Sequence, residues 1–396
     1  MIAEKMKGLV KNNSVIRQMF EEGKKMAQEF GAENVYDFSL GNPNVSAPEA
    51  VRENAIRLLK EESSSDIHGY MANAGYPEVR KAIADNLNLR FNTNFDEGNI
   101  MMATGAAGAL NCALKAIINP GDEVVTFAPY FVEYKNYVAN FDGVLVVTEP
   151  DKNTFQPQLS DFEKNVGPKT KAVIINNPNN PTGVIYTEDT IKKIADILYK
   201  KQEEYGSQIY IISDEPYREL VYTDTKVPFI TNYYKNTLVG YSFSKSMSLP
   251  GERIGYLVVP SECDDFPDLF NAVVIANRVM GFVNAPSLFQ KVIAGCLEEK
   301  ADIAYYAKNR DLIYDSLVSY GYNCVKPEGA FYLWIKSPVE NEKEFVAECK
   351  KEHILVVPGS SFSYGGYVRL SYCVSYETIK NSLPGFKKVA ERYGLK

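Results

Sequence analysis

Short runs of apolar and β-branched residues recur through the middle of the chain, and helical patterns lie between most of them. Examples of the helical patterns are AAGALNCALKAII after residue 105 and EDTIKKIADILYKKQEEYG after Thr187. We predict strands at 99–104, 123–128, 144–149, 171–176, 208–213, 237–242 and 255–259. Continuous apolar strands separated by helices are typical of a mostly parallel sheet that is covered on both faces.

From about residue 284 the pattern changes. A long amphipathic helical stretch, 287–321, leads to the apolar segments FYLWI, ILVVP and VRLSYC and to a final helix. The first 40 or so residues read as helical up to the turn FSLGNP and are expected to pack with this second region. The expected fold is α/β, with a large domain built on a seven-stranded, mostly parallel sheet and a smaller α/β domain formed from both chain ends. The predicted segments are 1–44 (N-terminal, packing with the small domain), 45–283 (large domain) and 284–396 (small domain).

Length and composition narrow the function classes. A chain of 396 residues is more than one ordinary core requires, so two domains are expected. The net charge of −7 argues against a nucleic-acid or membrane-surface partner, which would need a basic patch. No segment approaches the roughly 18 unbroken apolar residues of a membrane span, and none has the pattern of a signal peptide. The six scattered cysteines favour a reducing cytoplasm, and with two histidines they form no zinc site of familiar spacing.

The segment SFSKSMSLPGERIG, residues 242–255, joins the last two predicted strands. Ligands of such sheets bind beyond the carboxyl ends of the strands, so residues that follow a strand are candidates for chemistry. Lys245 stands there among small residues, which would let its amine approach a phosphorylated aldehyde. Arg253, eight positions later, can bind a phosphate through a forked, charge-assisted contact. Because histidines are few, a lysine of lowered pKa is also the expected group for proton transfer.

This segment resembles, position by position, the attachment signature for pyridoxal 5′-phosphate (PLP) of the class I/II aminotransferases, which are fold-type-I PLP enzymes. The resemblance extends over roughly residues 35–375 in consistent order. It implies PLP as the cofactor, held by Lys245 as a Schiff base, with its phosphate on Arg253. It also assigns phosphate contacts to the strand-to-helix turn Gly105-Ala106-Ala107, whose amides suit an anion, and to the hydroxyl of Ser242.

The same resemblance assigns residues to the cofactor ring. Phe131 resembles the stacking residue, and Asp214, at the end of an apolar strand, resembles the carboxylate that keeps the ring nitrogen protonated. Asn180 in NNPNNPTG and Tyr217 resemble the donors to the phenolic oxygen, which lower the pKa of the Schiff base. The expected catalytic residues are therefore Lys245, Asp214 and Tyr217.

Further positions are implied for the substrate and for assembly. Arg369 in VRLSYC resembles the arginine that binds the substrate α-carboxylate, in bidentate fashion where geometry allows. Gly41 in FSLGNP resembles a turn that brings backbone close to the substrate, and Asn180 is a further substrate contact. Tyr70 falls where family members send a tyrosine into the phosphate site of the partner subunit. The resemblance thus implies a homodimer.

Two positions depart from the aspartate-specific members of the family. Some of those relatives carry a lysine two residues after the glycine at 105, where it binds the side-chain carboxylate of the substrate, and this chain has Ala107 there. Arg278 lies about one residue from where another branch carries an arginine that reads acidic side chains from the neighbouring subunit. We predict Arg278 as a candidate contact for acidic substrates.

The function implied is a cytoplasmic, metal-independent aminotransferase (EC 2.6.1 type). It would move an amino group between an amino acid and a 2-keto acid by ping-pong half reactions, without nucleic-acid or membrane partners. A PLP-dependent C–S lyase or decarboxylase of the same fold stays open, because those reactions share the Schiff base and differ in which bond lies perpendicular to the ring.

Two functions outside PLP chemistry are also compatible with parts of the sequence. Tyr241 and Lys245 have the spacing of the Tyr/Lys pair of short-chain dehydrogenases, and TGAAGA faintly resembles the glycine turn of that family. Ala109 replaces the glycine that such a turn needs, and that reading leaves Arg253 and Arg369 without a role. A non-catalytic binding module of the same fold is the other alternative, and the complete set of candidate polar residues argues against it.

Overall fold

The computed structural model of the protein describes residues 2–11 and 15–396. Its strands are β1 (Tyr36–Asp37), β2 (Ile100–Ala103), β3 (Glu123–Phe127), β4 (Val144–Thr148), β5 (Thr170–Asn176), β6 (Tyr210–Asp214), β7 (Thr237–Ser242), β8 (Gly255–Val258), β9 (Cys324–Val325), β10 (Tyr332–Lys336), β11 (Ile354–Leu355), β12 (Val357–Pro358) and β13 (Tyr367–Ser371). Its α-helices are α1 (Glu4–Lys11), α2 (Val15–Phe30), α3 (Glu49–Glu61), α4 (Ser64–His68), α5 (Pro77–Phe91), α6 (Gly105–Ile117), α7 (Glu133–Asn140), α8 (Leu159–Asn165), α9 (Glu188–Tyr205), α10 (Phe243–Ser246), α11 (Phe266–Val279), α12 (Ser287–Ala294), α13 (Ile303–Ser319), α14 (Glu342–Lys351) and α15 (Tyr376–Arg392). Short 3-10 turns span Ala32–Asn34, Glu97–Asn99, Ile230–Asn232 and Gly359–Phe362.

The seven strands predicted in the middle of the chain form one sheet, in the order β2-β8-β7-β6-β5-β3-β4. Neighbouring strands are parallel except at β8, which runs antiparallel to both β2 and β7. The prediction of a seven-stranded, mostly parallel sheet is confirmed. The carboxyl ends of β5, β6 and β7 consequently meet at one edge, which is where the sequence places most of the candidate residues.

Both faces of this sheet are buried, which explains why its strands are continuously apolar. Successive side chains of a strand point to opposite faces. Val124 packs in the cluster that includes Leu110 of α6, and Val125 packs in the cluster that includes Ile194 of α9. Each such side chain contributes roughly 1.5–3 kcal/mol on burial. The helices on both faces therefore hold the sheet edge in a fixed geometry.

A second sheet, in the order β12-β13-β10-β9, is antiparallel throughout. The N-terminal segment joins this region, because β1 pairs in parallel with β11 and Tyr36 lies opposite Ile354. Phe38 extends the connection. Its N–H donates to the carbonyl of Leu355, and its own carbonyl accepts from the N–H of Ser371, each at 2.9 Å. The two ends of the chain are thus bound together beside the large sheet.

Three local predictions need correction. The run ILVVP forms two short strands, because β11 pairs with β1 while β12 pairs with β13. The helical stretch 287–321 is two helices. Between them the chain turns at Gly295, and Asp302 begins α13 by accepting a hydrogen bond from the N–H of Tyr305 at 3.0 Å. The N-terminal region is not helical up to FSLGNP, since β1 precedes that turn.

Helix α12 packs beside the large sheet. Its residues Val292 and Ile293 share a buried cluster with Val51 of α3 and Ile83 of α5. Gln290, also on α12, accepts a hydrogen bond from the N–H of Tyr76 at 3.1 Å. The predicted boundary at residue 284 therefore separates α12 from the core in which it lies, and the packing favours a boundary beyond this helix.

Two further features concern the cysteines and the helices. All six cysteines are free thiols. Within residues 2–11 and 15–396, no helix has the length and apolar character that crossing a bilayer requires.

Candidate active site

A cavity of about 290 Å³ lies at the carboxyl ends of β5, β6 and β7. The last residues of these strands, Asn176, Asp214 and Ser242, all line it, as expected for the edge where parallel strands end. The full lining comprises Leu40, Gly41, Ala106, Ala107, Leu110, Phe131, Tyr134, Tyr137, Asn176, Asn180, Asp214, Pro216, Tyr217, Ser242, Ser244, Lys245, Pro250, Arg253, Tyr332 and Arg369. The large sheet, the N-terminal segment and the small sheet each contribute to the walls.

Lys245 lies on the one-turn helix α10 directly after β7. Ser242 caps this turn, because its hydroxyl accepts a hydrogen bond from the N–H of Ser244 at 3.1 Å. The Lys245 amine donates to the carbonyl of Gly41 at 2.6 Å. Burial lowers the pKa of Lys245 to about 8, and the charges of Arg253 and Arg369 act in the same direction. The amine is thus easier to deprotonate than that of an ordinary lysine.

Asp214 is the buried acid of the cavity. Its Oδ2 accepts a hydrogen bond of 2.5 Å from the hydroxyl of Tyr134, and its main-chain carbonyl accepts one of 2.9 Å from the amide of Asn176. Burial raises the pKa of Asp214 to about 7, against the opposing effect of the Tyr134 hydrogen bond. A carboxylate in this position is costly unless a cation joins it.

The N-terminus of α6 forms another wall. Thr104 makes no side-chain cap there, so the amides of the first turn at Gly105, Ala106 and Ala107 have no capping partner from it. Arg253 approaches the same turn, and its guanidinium donates to the carbonyl of Thr104 at 3.3 Å. Gly105 has φ of +75°, and a Cβ there would lie 2.8 Å from Nη2 of Arg253. Only glycine allows this approach, which brings a guanidinium and a helix N-terminus together as an anion site.

Arg369 projects from β13 and is buried, with 2% of its surface exposed. Nη1 donates to Oδ1 of Asn180 at 3.2 Å and Nη2 to the carbonyl of Ser39 at 2.5 Å. Nε has no hydrogen-bond partner. The guanidinium lies over the rings of Tyr332 and Phe362 at 4.5 and 4.8 Å. Burial lowers the pKa of Arg369, and among the described residues no carboxylate forms an ion pair with it.

Tyr217 and Phe131 complete the predicted set within the cavity. The hydroxyl of Tyr217 lies 2.9 Å from that of Tyr332, and burial raises the pKa of Tyr217. Phe131 is partly buried and contacts Tyr134 edge to face, with ring centroids 5.7 Å apart. An aromatic face and a hydroxyl pair thus border the same space as the amine and the acid.

Three predicted residues do not line this cavity. Tyr70 follows α4 and is 91% exposed. Arg278 is exposed at the end of α11. Gly105 supports the cavity through Arg253 and is not itself part of the lining.

The sequence analysis missed the cavity residues Tyr134, Asn176 and Tyr332. The signal for Asn176 was available, because it ends β5 as Asp214 ends β6, and the two residues are neighbours in register. Tyr134 follows Phe131 by one helical turn, so it too was open to inference. Tyr332 reaches the cavity only through the pairing of β10 with β13, which the sequence does not reveal.

The dehydrogenase reading fails on geometry. The hydroxyl of Tyr241 donates to Ser246 at 2.8 Å, and its ring stacks on Tyr256 with centroids 4.9 Å apart. Tyr241 is buried away from the cavity that Lys245 lines. The two residues therefore do not form a catalytic pair.

Fold and cavity together define the class of the protein, an α/β enzyme of fold type I. The chain belongs to the aminotransferase class I and II family, whose model matches residues 32–384. The predicted family and the predicted aminotransferase activity are confirmed. Members of this family use PLP and act on amino acids and 2-keto acids, so the enzyme is an aminotransferase and not a non-catalytic module.

Similarity extends over nearly the whole chain. A probable aspartate/prephenate aminotransferase of Aquifex aeolicus is 34% identical over 382 residues, which cover 90% of this chain and 91% of that protein. A crystal structure of an amino transferase from Eubacterium rectale matches with a TM-score of 0.97 and 46% identity over 99% of each chain. The aspartate aminotransferase structure of Thermotoga maritima matches with a TM-score of 0.85 and 30% identity, over 98% of this chain and 99% of that one.

Proposed function

We propose that this aminotransferase binds PLP in the cavity at the sheet edge, with Lys245 as the attachment residue and Asp214 beside the ring nitrogen. One observation carries the proposal: the Lys245 amine, the Asp214 carboxyl group and the N-terminus of α6 border the same cavity. The amine can form a Schiff base with the aldehyde of PLP. The carboxylate can pair with the ring nitrogen, and the helix N-terminus can bind the phosphate.

The residues present fit this cofactor. The uncapped first turn of α6 and the guanidinium of Arg253 provide amide and charged donors for a phosphate. The raised pKa of Asp214 fits a carboxyl group that a protonated ring nitrogen would pair with. Phe131 offers an aromatic face, and Tyr217 and Asn180 offer donors for the phenolic oxygen.

The unpaired Nε of Arg369 supports a separate site for the substrate carboxylate. A buried guanidinium with no ion pair and one free donor is unfavourable by itself, and a bidentate carboxylate would complete it. Asn180 accepts from the same guanidinium and so fixes its plane on one side. Gly41 lines the same cavity, and we propose that its backbone lies close to the same substrate.

Each residue then has a distinct part in the reaction. When bound, PLP supplies an electron-withdrawing ring that stabilises negative charge at the substrate Cα. The Lys245 amine would move the proton that is released from the substrate Cα, and its lowered pKa suits it to that task. Asp214 would keep the ring nitrogen protonated, and Tyr217, whose hydroxyl lies beside that of Tyr332, would donate to the phenolic oxygen. Hydrolysis by one water would release the 2-keto acid product, and a second 2-keto acid would accept the amino group in the reverse sequence.

The choice of substrate follows from where cations lie. Among the described residues, the cations that line the cavity are Lys245, Arg253 and Arg369, and each has a place in the scheme above. Ala107 adds none. Recognition of an acidic side chain, as the names of the Aquifex and Thermotoga relatives suggest, would therefore need a cation from a second subunit, for which Arg278 is the candidate. Arg278→Ala should raise KM for aspartate and glutamate several-fold and leave KM for apolar amino acids unchanged, and equal effects on both would contradict this role.

The proposed assembly is a homodimer in which Tyr70 enters the phosphate site of the second copy. The Tyr70 ring is 91% exposed, so among the described residues it is not packed against its own chain. Sedimentation should give twice the 44.4 kDa of one chain, and a fully active monomer would contradict the proposal.

We retain the proposed division into large and small domains, with the boundary moved beyond α12. The free cysteines support a cytoplasmic location.

The central test is Lys245→Ala, with Lys201→Ala as its matched control. Lys201 pairs with Glu204 and donates to the hydroxyl of Tyr205 on α9, away from the cavity, so its loss removes contacts local to that helix. The purified wild-type protein and Lys201→Ala should absorb in the visible and turn over a panel of amino acids with a 2-keto acid. Lys245→Ala should lose the attached chromophore and nearly all turnover.

Retained multiple turnover in Lys245→Ala would refute the proposal. Product analysis in the same experiment separates the remaining PLP chemistries, because a C–S lyase or decarboxylase would release sulfide or carbon dioxide and would not need the 2-keto acid.

A further inference from the structure

One side-chain amide joins the two halves of the site. Nδ2 of Asn176 donates to the main-chain carbonyl of Asp214 at 2.9 Å and lies 3.5 Å from its Oδ2. Oδ1 of the same amide accepts from the N–H of Asn180 at 2.7 Å. Asn180 in turn accepts from Arg369. A continuous series of hydrogen bonds thus runs from the acid of the cavity to its carboxylate-binding arginine.

We propose that Asn176 is a positioning residue that couples the orientation of Asp214 to that of Asn180 and Arg369. The inference rests on the proposed cofactor site, in which Asp214 meets the ring nitrogen and Asn180 the phenolic oxygen. Asn176 touches neither ligand in this scheme. It acts through the residues that do.

The local geometry explains why an asparagine performs this task. Asn176 and Asp214 are paired in register at the last rungs of β5 and β6, where the backbone ladder ends. Beyond that point the amide takes over, since it offers a donor to one strand end and an acceptor to the loop that follows the other. The side chain is buried, with 5% of its surface exposed, so water does not replace either bond.

Because of the charges around Asp214, the contacts that Asn176 donates to Asp214 are more sensitive to substitution than the bond that it accepts from Asn180. The titratable groups that act on it or lie beside it are Tyr134, Tyr137 and Tyr217, together with the carboxyl group of Glu215. None of these is a cation. Asn176→Asp would keep an acceptor for Asn180 and place a second carboxyl group about 3.5 Å from Oδ2 of Asp214. Two carboxyl groups so close share one proton over a wide pH range.

The test measures the two sides separately in the full-length protein. The cofactor side is the Kd for PLP, obtained by titrating PLP into the stripped enzyme and following the visible absorbance. The substrate side is the KM for the best amino donor at saturating PLP. Three variants are compared, Asn176→Asp, Asn176→Ala and the matched control Asn177→Asp. Asn177 is also buried. Its side-chain amide donates to the carbonyl of Tyr186 and accepts from the N–H of Tyr186, away from the cavity.

Asn176→Asp should raise the Kd for PLP about tenfold or more, because each unit of increase in the pKa of Asp214 costs its ionised form a factor of ten. Its KM should stay within about threefold of wild type, since the bond from Asn180 is kept. The PLP defect should shrink as pH rises above the raised pKa of Asp214, because the ionised form is then restored. Asn176→Ala should impair both Kd and KM. Asn177→Asp should change them only in proportion to its loss of thermal stability.

The outcomes distinguish the two levels of proposal. Failure of the wild-type enzyme to bind PLP would refute the proposed function itself. Normal PLP binding by the wild type combined with a wild-type Kd in Asn176→Asp, or with the same pattern in Asn177→Asp as in Asn176→Asp, would overturn the positioning role of Asn176.

Discussion

Replacing Arg369 with methionine should stabilise the cofactor-free enzyme and at the same time abolish most of its activity. The guanidinium is buried, donates to Asn180 and to the carbonyl of Ser39, and has an unpaired Nε. Methionine has a similar reach without the charge and packs well beside rings such as those of Tyr332 and Phe362. The variant therefore separates the effect of the buried charge on stability from the effect of side-chain packing.

The magnitude follows from two opposing terms. Two hydrogen bonds from a charged donor are lost, each worth about 1.5–3 kcal/mol. Against this, the penalty for holding an unpaired ion out of water is several kcal/mol, and even paired buried ions are often replaced by apolar residues with a gain of about 1–4 kcal/mol. We expect the free energy of unfolding to rise by about 1–3 kcal/mol. Loss of a forked carboxylate contact, worth about 3–4 kcal/mol, should lower kcat/KM roughly 10²–10³-fold.

Urea unfolding of the stripped enzyme and steady-state kinetics of the PLP-loaded enzyme measure the two effects. Arg310→Met is the matched control, because Arg310 is also buried but pairs with Asp311 and lies over Tyr222, outside the cavity. It should lose about 1 kcal/mol of stability and keep kcat/KM near the wild-type value. A loss of more than about 2 kcal/mol in Arg369→Met, or a kcat/KM within about threefold of wild type, would refute the reasoning.

Two further predictions concern Asp214 and Gly41, which both line the cavity. Burial raises the pKa of Asp214 in the folded protein from its ordinary value of 3.8 to about 7. Between these pH values the folded form holds a proton that the unfolded form has lost, so stability falls as pH rises. Asp214→Asn in the stripped enzyme should therefore exceed wild-type stability by up to about 4 kcal/mol at pH 8 and match it below about pH 4, and an equal difference at both pH values would contradict the assigned pKa. Gly41→Ala would place a Cβ 2.1 Å from the hydroxyl of Tyr332 and so displace the Tyr332 ring, which lines the cavity. Its kcat/KM should fall at least about tenfold and recover in part when Tyr332→Phe is added, and no recovery would exclude this contact as the cause.

The large sheet could be predicted because its signal is local. A strand buried on both faces must be apolar throughout, so β7 was predicted at its observed limits. The candidate site was predictable for a related reason. Asp214 and Lys245 stand at or directly after strand ends, and parallel strands bring their carboxyl ends together.

What the sequence concealed depends on partners distant in the chain. ILVVP is a single apolar run, and only the separate pairing of its halves with β1 and β13 divides it. The break between α12 and α13 depends on the packing of α12 against the large-sheet core, which amphipathic spacing does not specify. Tyr332 meets Tyr217 across 115 residues of chain. Burial and register, rather than residue type, decide these contacts.

The cations of the cavity share one property, because each of them donates to main-chain carbonyls. Lys245 donates to the carbonyl of Gly41, Arg369 to that of Ser39, and Arg253 to those of Thr104 and Pro250. A carbonyl stabilises a cation through its dipole but leaves the net charge unchanged, whereas a carboxylate would cancel it.

Within the described residues, three positive groups thus face one acid, Asp214, whose raised pKa makes it a weak counter-ion. Two of the carbonyls lie on the N-terminal segment, which β1 and Phe38 bind to the small sheet. A carboxylate that displaces the Ser39 carbonyl from Arg369 gains a full charge interaction with a guanidinium that is shielded from water. Because the acceptors are backbone atoms on a fixed segment, substitution of side chains cannot remove them, and the positive excess is a property of the fold as much as of Lys245, Arg253 and Arg369.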